Sequence, residues 1–312
     1  MNSRGGQEVS TEPTACPVCG TVDVALIGRL QDRRRFAGVV RDRPLIGGNL
    51  FRCSTCSLKF RSPHSPPEFY AELYDNSFTT AWEETTGRND WNKILQFIQP
   101  RLRADAKVLD FGCNTGGLLA QLGQRYSKYG IEINKSAGAV AVAESGATVW
   151  SSLEEIPPGL RFDAIILADV VEHVPDPKQL IVAVAAYLAE GGVLLITTGD
   201  ADNRLWERFG ANWWYCVYPE HIAFISRAWL GYLCRSTDLT IKHCENFYYC
   251  DLPLPRKVSD GLLAMTYGLA PSFYSRVGRL ILATLRLRGD VPVGGRGLSA
   301  DHLFIALAKR SQ

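Results

Sequence analysis

Four cysteines near the start of the chain fall in two CxxC pairs, which is a spacing typical of a metal site. The pairs are Cys16 and Cys19 in CPVCG, and Cys53 and Cys56 in FRCSTC. Four thiolates can close a tetrahedral shell around zinc and leave no position for water, as in structural sites. A redox site needs one CxxC pair rather than two. The pairs therefore predict a structural zinc ion, with the intervening RLQDRRRFAGVVRDRPLIGG, residues 29–48, forming a strand hairpin or loop of its own.

A glycine-rich turn follows a short apolar run in KVLDFGCNTGG, residues 107–117. Turns of this kind hold dinucleotides or S-adenosylmethionine (SAM). A dinucleotide fingerprint that starts at Gly112 needs a glycine at position 114, where the backbone approaches pyrophosphate, but Asn114 stands there. Asp110 ends the apolar run, and its carboxylate would repel pyrophosphate and attract a ligand that carries an ammonium and a sulfonium. The charges favour SAM.

A second carboxylate follows the next apolar run, YGIEI. Glu132 lies 22 residues beyond Asp110, where a carboxylate can accept hydrogen bonds from both hydroxyls of a ribose. Nicotinamide cofactors share this feature, so Glu132 alone does not separate the two ligands.

The segment WWYCVYPEHIAFIS surrounds three polar residues with aromatic side chains: Tyr218, Glu220 and His221. Histidine titrates near neutral pH, so it can take a proton from a hydroxyl or an activated carbon during group transfer. We therefore predict His221 as a general base, with Tyr218 and Glu220 orienting it or the acceptor. The alternative is structural: His221 caps the helix that begins near Ser226, or fills the aromatic cluster.

The elements that must position these residues alternate between strand and helix. Strand-like runs are KVLDF, YGIEI, ATVW, FDAIILA and GGVLLITT. Helical patterns between them are GLLAQLGQRY, SAGAVAVAES and PKQLIVAVAAYLAE, with a short LEEI turn. Such alternation predicts an α/β fold, a mostly parallel Rossmann-like sheet with helices on both faces. Ligands of such sheets bind at the carboxyl ends of the strands.

The run from 105 to 200 resembles the class I SAM-dependent methyltransferases. VLDFGCNTG is similar to the family's first motif, YGIEIN to its ribose-acid strand, FDAIILADVVEHVPDP to its fourth strand and following loop, and EGGVLLITT to its fifth. The resemblance implies SAM as cofactor and a set of residues that bind it: Asp110, Gly112, Asn114 and Gly116 at the methionine end, Glu132 at the ribose, Ser152 near the adenine and Asp169 at the pocket rim. Asn114 replaces the family's usual middle glycine, and Ser151 and Ser152 stand where the family often has an Asp. Each residue also has an ordinary interpretation, Asp169 and Glu172 as helix-capping acids and His173 as a loop histidine.

A narrower resemblance concerns the acceptor. A four-cysteine zinc segment before a SAM domain, followed by a Tyr-x-Glu-His run, is similar to the sugar C-methyltransferases of deoxysugar pathways. In those enzymes the matching tyrosine, glutamate and histidine surround the sugar, and they carry a further C-terminal domain that we do not expect here. Similar zinc-bearing methyltransferase-like proteins occur in bacterial surface-glycan and natural-product gene clusters. The resemblance therefore does not decide between C-methylation and O-methylation. ADVVEH replaces the N/D-P-P-Y-type run of enzymes that methylate exocyclic base amines, so adenine and cytosine are not expected acceptors.

Composition limits the partners and the compartment. The 312 residues contain 34 Lys or Arg and 32 Asp or Glu, a net charge of +2 that implies no strong attraction to polyanions. The longest apolar stretch, residues 180–189, is too short to cross a bilayer, and we expect a cytoplasmic enzyme with reduced thiols. Residues 1–66 carry ten basic and five acidic residues, which leaves open an RNA methyltransferase that reads RNA with its zinc segment. A non-catalytic SAM-fold scaffold is the other alternative.

These features predict five segments along the chain. They are a zinc-ribbon-like segment at 1–66, a helical lead-in or lid at 67–104, the SAM-binding core at 105–250, a helical insertion at 251–300 and the last core strand at 301–312. LTIKHCENFYY and DHLFIALAKR are expected to pair as an antiparallel hairpin at the sheet edge. The apolar and basic insertion could form a lid, a homodimer surface or a membrane-surface element that meets lipid-linked glycan. Buried helical faces are the commoner use, which favours the lid or dimer.

Overall fold

The computed structural model describes residues 15–36, 39–63, 69, 88–284 and 297–310. Its strands are β1 (Val24–Arg29), β2 (Arg33–Phe36), β3 (Val39–Leu45), β4 (Asn49–Cys53), β5 (Lys59–Ser62), β6 (Lys107–Phe111), β7 (Ser127–Ile131), β8 (Thr148–Trp150), β9 (Phe162–Ala168), β10 (Leu188–Gly199), β11 (Ala223–Phe224), β12 (Leu239–Phe247) and β13 (His302–Lys309). Its helices are α1 (Asn89–Ile98), α2 (Gly117–Gln121), α3 (Lys135–Ser145), α4 (Pro177–Ala185), α5 (Arg204–Phe209), α6 (Arg227–Arg235), α7 (Leu254–Leu269) and α8 (Pro271–Thr284).

A seven-stranded sheet organises the chain, in the order β12-β13-β10-β9-β6-β7-β8. Neighbours from β10 to β8 pair in parallel, whereas β13 is antiparallel to both β10 and β12. The strand order reverses direction at β6, which lies between β7 and β9. This architecture confirms the predicted Rossmann-like α/β class and its antiparallel last strand. The parallel strands place their carboxyl ends, and the loops that follow, along one edge.

The sheet is buried on both faces because apolar side chains occupy both sides of its central strands. Ile165 and Leu167 of β9 pack on one face, under α4, α6 and part of the N-terminal segment. Ala164 and Ile166 pack on the other face, under α1, α2 and α3. The sequences of the central strands are therefore nearly continuous apolar runs. Packing on both faces of the sheet fixes the positions of the ends of these strands.

A second sheet of four strands forms from the N-terminal segment, in the order β1-β4-β5-β11. Its last strand, β11, comes from the distant segment that carries the predicted base, and it pairs antiparallel with β5 through Ala223 and Phe60. Between the cysteine pairs, β2 and β3 form the expected hairpin. The segment boundaries remain predictions, but this pairing attaches the cysteine segment directly to the segment that carries His221.

Several element boundaries differ from the predicted ones. The helix expected through Glu190 ends at Ala185, and β10 begins at Leu188, because an uninterrupted apolar run gives no period that separates a buried helix from a buried strand. The GLLAQLGQRY helix is a five-residue α2 followed by a 3₁₀ turn. Of the helical lead-in predicted over 67–104, residues 67–68 and 70–87 lie outside the described residues. In the part of the chain that the structure describes, no helix combines the length and apolar character needed to cross a membrane.

Candidate active site

The glycine-rich turn after β6 brings backbone to the sheet edge without side chains. Gly112 and Gly116 both have φ of +79°, in the left-handed region. A Cβ atom on Gly116 would lie 2.9 Å from the Cα of Ala141, and one on Gly112 would lie 3.0 Å from Cγ2 of Val170. Glycine is therefore required at both positions by conformation and by space. The turn forms a cradle that a side chain would fill.

Asn114 occupies the position where the dinucleotide fingerprint and the family pattern have a glycine. Its φ is +46°, a left-handed conformation that asparagine tolerates better than most residues. Its backbone N–H donates to Oε2 of Glu132 at 2.8 Å. The replacement thus keeps the conformation of the turn and ties it to the next strand.

Two carboxylates face the turn, that of the buried Asp110 and that of the half-buried Glu132. Asp110 is the next-to-last residue of β6, and burial raises its pKa to about 7; the charge of Arg88 lowers this pKa and that of Glu132 raises it. Burial also raises the pKa of Glu132, although backbone N–H groups of Asn134 and Asn114 donate to its oxygens and oppose the rise. Two desolvated acids that repel each other provide a site for a cation.

These residues fit SAM on the chemistry of the donor set. The ammonium and sulfonium of SAM would relieve the repulsion between Asp110 and Glu132, and each oxygen of Glu132 retains a second lone pair for a ribose hydroxyl. Ser152 follows β8 at the same edge and is half-buried. The turn, both acids and Ser152 are thus brought together as the sequence predicts, and their contacts with the cofactor remain predictions.

Asp169 follows β9 with a φ of +53°. Its Oδ2 accepts hydrogen bonds from Arg88 at 2.8 Å and from the hydroxyl of Tyr249 at 3.0 Å. Its Oδ1 is buried, and no described residue forms a hydrogen bond with it. Asp169 therefore joins the start of α1 and the end of β12 to the strand edge, and the unsatisfied oxygen is available to a ligand donor.

Two histidines from distant parts of the chain meet beside this loop. His173 lies in the 3₁₀ turn after β9 and contacts the ring of His221 edge to face, with centroids 5.0 Å apart. Nδ1 of His221 is 2.8 Å from the carbonyl oxygen of Tyr215, and Nδ1 of His173 is 3.1 Å from that of Glu220. A carbonyl oxygen can only accept, so each neutral ring carries its proton on Nδ1 and keeps Nε2 as its acceptor atom.

Burial keeps both histidines uncharged. It lowers the pKa of His221 well below its ordinary value, with a further contribution from the charge of His173, and it also lowers the pKa of His173. Burial raises the pKa of Glu172 to about 7, and the hydroxyls of Tyr215 and Thr198, at 2.5 and 3.0 Å, donate to it. One ligand atom from each of Glu172, His173 and His221 lies within 4.8 Å of the others. The group can therefore accept a proton or hold a metal cation.

The structure corrects the ordinary interpretation of Glu172 as a helix cap. Asp176 is the N-cap of α4, and its side chain accepts the N–H of Gln179 at 2.9 Å. Glu172 is buried instead, and its backbone carbonyl accepts the N–H of Ile222 at 2.7 Å. The loop after β9 is thus bonded to the segment that carries His221.

Tyr218 and Glu220 both lie close to the histidine pair. The Tyr218 ring centroid is 5.1 Å from that of His221. Glu220 is buried, its backbone carbonyl fixes His173, and its charge raises the pKa of that ring against burial. The ring of His221, however, is oriented by the carbonyl of Tyr215 rather than by either predicted side chain.

A buried arginine from the N-terminal segment holds this arrangement. The Arg61 guanidinium donates to the carbonyl oxygens of His221, Tyr218, Cys216 and Gly47, at distances from 2.5 to 3.0 Å. Since Arg61 lies in β5, next to β11, the guanidinium and the strand pairing act on the same segment. The segment that carries His221 is therefore held by the N-terminal sheet.

The four predicted cysteine ligands come together at the other end of that sheet. Sγ of Cys16 is 3.5 Å from that of Cys56, and Sγ of Cys19 is 3.4 Å from that of Cys53. All four sulfurs lie within 4.8 Å of one another. The hydrogen bond with the Cys56 thiol lowers the pKa of Cys16 to about 5, which favours its thiolate form. Four converging sulfurs are the ligand set of a closed zinc site.

Sequence reasoning missed several residues of the site because their contacts are formed over long distances in the chain. Tyr215 donates to Glu172, 43 residues away, and Arg88 and Tyr249, 81 and 80 residues away, both donate to Asp169. One local pattern in the sequence could have indicated part of the site, namely the adjacent Glu172 and His173 in ADVVEH. An acid next to a histidine directly after a strand end is a chemically unusual combination when it is buried.

Comparisons with known proteins bear on the family and the fold. A family model described as a methyltransferase domain matches residues 82–243, just over half of the chain. The chain is 30% identical over 167 residues to the ubiquinone biosynthesis O-methyltransferase of Leptothrix cholodnii, covering 48% of this chain and 70% of that protein. It is 37% identical over 116 residues to the ubiquinone biosynthesis O-methyltransferase of Xanthomonas euvesicatoria, covering 33% and 48%.

A solved structure supports the fold alone. It is a chain of the complex between the Trm112 methyltransferase activator of Haloferax volcanii and a methyltransferase, with a TM-score of 0.53 and 12% identity, covering 79% of this chain and all of that one. At this identity the similarity carries no information on the acceptor.

Proposed function

From the premise that the chain belongs to the methyltransferase-domain family and is a SAM-dependent methyltransferase, we propose that it methylates a hydroxyl oxygen of a small-molecule or glycan acceptor. SAM supplies an electrophilic methyl group on sulfur, and the acceptor loses a proton as its new bond to carbon forms. The observation that carries the proposal is the neutral histidine pair, His173 and His221, at the same sheet edge as the SAM residues.

His221 is the general base in this proposal. Its Nδ1 proton is committed to the carbonyl of Tyr215, so Nε2 is the atom that accepts the acceptor's proton. Burial disfavours the imidazolium before reaction, which keeps the base in its active form at neutral pH. Glu172 lies within reach of both rings and can stabilise the positive charge that forms on either.

Oxygen is the favoured methylated atom because the curated relatives are named O-methyltransferases. C-methylation of a sugar is the second candidate, and a specific arrangement supports it. The Tyr218, Glu220 and His221 run that resembles sugar C-methyltransferases packs on the cysteine segment through β5 and β11. A natural-product or glycan hydroxyl and an activated sugar carbon both present a proton that a histidine can remove.

We also propose that Cys16, Cys19, Cys53 and Cys56 bind one structural zinc ion. The sulfur distances and the low pKa of Cys16 support a closed four-sulfur site. This zinc would stabilise the sheet that presents Arg61 to the acceptor segment. Its role is structural, because four protein sulfurs leave no position for a substrate.

The proposal is tested by measuring SAM binding by calorimetry, then the release of S-adenosylhomocysteine with panels of phenols, free sugars, nucleotide sugars and RNA. Turnover with a hydroxyl acceptor, unchanged by added Mg²⁺ or Mn²⁺, is expected. SAM binding without turnover on any acceptor class would favour the scaffold. Turnover on RNA alone would favour the zinc segment as an RNA reader, and strict dependence on an added divalent cation would assign Glu172, His173 and His221 to a metal site.

A further inference from the structure

In the part of the chain that the structure describes, helices α7 and α8 contact the rest of the protein through one face. On that face Tyr267 and Ala264 are buried, and Nη2 of Arg33 donates to the Tyr267 hydroxyl at 3.2 Å. The rings of Tyr267 and Tyr274 contact each other edge to face at 5.5 Å, which joins the two helices. The inner face is therefore occupied by contacts within the protein, and the outer face is the one that a partner could contact.

The outer face of both helices is apolar and exposed to solvent. Half of the twenty exposed large hydrophobic residues among the described residues lie on these two helices, each at least 41% exposed: Leu254, Val258, Leu262, Leu263, Met265, Leu269, Phe273, Val277, Leu280 and Ile281. At 100° per residue, nearly all of them fall on one side of each helix, and Leu263 lies at the edge of that side. We define this surface as the outer apolar face.

Basic residues accompany the outer apolar face. The two helices carry four Lys or Arg and a single acid, Asp260, which is bonded to Arg256 at 3.3 Å. Arg256 and Arg276 are exposed. An amphipathic pair with apolar side chains on one side and unbalanced cations beside them is complementary to a negatively charged lipid surface.

The position of the pair connects it to the acceptor side of the site. A Cβ atom on Gly268 would lie 2.1 Å from the ring of Phe209, so α7 rests directly on that ring. Phe209 stacks on Trp213 at 5.8 Å, and Trp213 begins the aromatic segment that ends at His221. At the other end, Tyr249 bonds Asp169 just before α7 begins. Contact of the outer face with a surface would place the acceptor side of the enzyme next to it.

We propose that the outer apolar face of α7 and α8 binds the surface of an anionic phospholipid bilayer. The two helices lie side by side and present one broad face rather than a single narrow seam, which suits a flat bilayer. Pairing of two copies through this face would bring their basic residues together. The single acid of the two helices, Asp260, is already bonded to Arg256 and cannot offset this repulsion. The proposal is independent of which acceptor is methylated.

The test is cosedimentation of the full-length protein with phosphatidylcholine vesicles that do or do not contain phosphatidylglycerol. We expect binding to the mixed vesicles only, weakened by high salt. Leu262→Glu should reduce the vesicle-bound to free ratio by about tenfold or more, because a charge then enters the apolar contact. Leu26→Glu on β1 is the matched control, since both leucines are 62% exposed, and it should bind as wild type. Arg256→Gln with Arg276→Gln should cost roughly tenfold.

SAM affinity provides the folding control, because the cofactor residues lie elsewhere and all four substitutions are at exposed positions. Each variant should bind SAM as wild type does. Equal binding to both vesicle types, or an unchanged bound fraction for Leu262→Glu, would overturn the proposal. It would also fail if light scattering found a dimer that Leu262→Glu converts to monomer while vesicles capture neither, since the face would then be a contact between copies.

Discussion

His221 and His173 contact each other edge to face with ring centroids 5.0 Å apart, and a backbone carbonyl fixes the Nδ1 proton of each ring. His221 is buried and His173 half-buried, and desolvation lowers the pKa of both rings, which favours their neutral forms. A neutral imidazole with a fixed tautomer has one acceptor nitrogen in a defined direction. The proposed general base requires this property, because only an unprotonated nitrogen can take a proton from the acceptor.

Replacing the proposed base should abolish chemistry and spare cofactor binding. His221→Ala should reduce turnover on the true acceptor by about 10² to 10⁴, the usual contribution of a general base. SAM affinity should remain, because the cofactor residues lie at other strand ends. Steady-state kinetics and calorimetry on the same preparation measure the two quantities.

His243→Ala is the matched control, since His243 is an exposed histidine on β12 that pairs with Glu245 at 3.6 Å. It should retain wild-type turnover. Near-normal turnover of His221→Ala would show that His221 is not the base and only packs in the aromatic cluster. Loss of SAM binding in that variant would mean that the aromatic segment forms a wall of the cofactor site.

SAM affinity should fall as pH falls below about 7. The pKa of Asp110 in the free protein is raised to about 7 by burial, so below that pH the carboxyl is protonated. A bound cation favours the carboxylate, and binding then releases the proton, which weakens affinity by up to about tenfold per pH unit. Calorimetry at a series of pH values measures this slope. In Asp110→Asn the affinity should be lower and the slope should flatten; a slope equal to that of the wild type would assign the titration to another group.

Gly116→Ala should weaken SAM binding strongly. The added Cβ meets the backbone of Ala141 at 2.9 Å and the residue has a φ of +79°, so the cradle must distort. Gly146→Ala provides the comparison, because Gly146 also has a positive φ, +67°, but has nothing within 4 Å of its Cβ position. Both variants share the backbone strain, of order 1 kcal/mol, and only Gly116→Ala should lose cofactor affinity. Equal affinities would show that the cradle does not contact SAM.

Zinc should be present at one ion per chain and should stabilise the N-terminal sheet. Elemental analysis of freshly purified protein checks the stoichiometry. Cys53→Ser should lose the metal and lower the melting temperature, whereas Cys234→Ser, at a half-buried cysteine outside the cluster, should keep both. A metal-free wild type with an unchanged melting temperature in Cys53→Ser would contradict the zinc site.

Arg61→Lys should destabilise the acceptor segment. A lysine keeps the charge but cannot donate in the planar fork that reaches four carbonyls, and each carbonyl left unsatisfied costs roughly 1 to 3 kcal/mol. The free energy of unfolding and kcat should both fall, with SAM affinity retained. Arg52→Lys, at an exposed position in β4, should change none of these. If Arg61→Lys melts like the wild type, the guanidinium bonds do not hold the segment.

The sequence by itself determined the features that depend on short stretches of chain. The glycine-rich turn, the acids at the ends of β6 and β7 and the alternation of apolar runs specify a parallel sheet, because each is a local choice of conformation or burial. The CxxC pairs likewise indicate a metal site through spacing alone. Asp110, Gly112, Gly116 and Glu132 accordingly lie where their motif predicts.

Only the tertiary structure decided which distant groups meet. Tyr215 donates to Glu172, Arg61 ties the cysteine segment to the acceptor segment, and the loop after β9 contributes both Glu172 and His173 to the same cluster. The sequence also did not decide which side of α7 and α8 is exposed, since an amphipathic pattern does not show which side of a helix packs against the protein. Such contacts join residues far apart in the chain, and their free energy comes from burial and hydrogen bonds that exist only after the sheets have assembled.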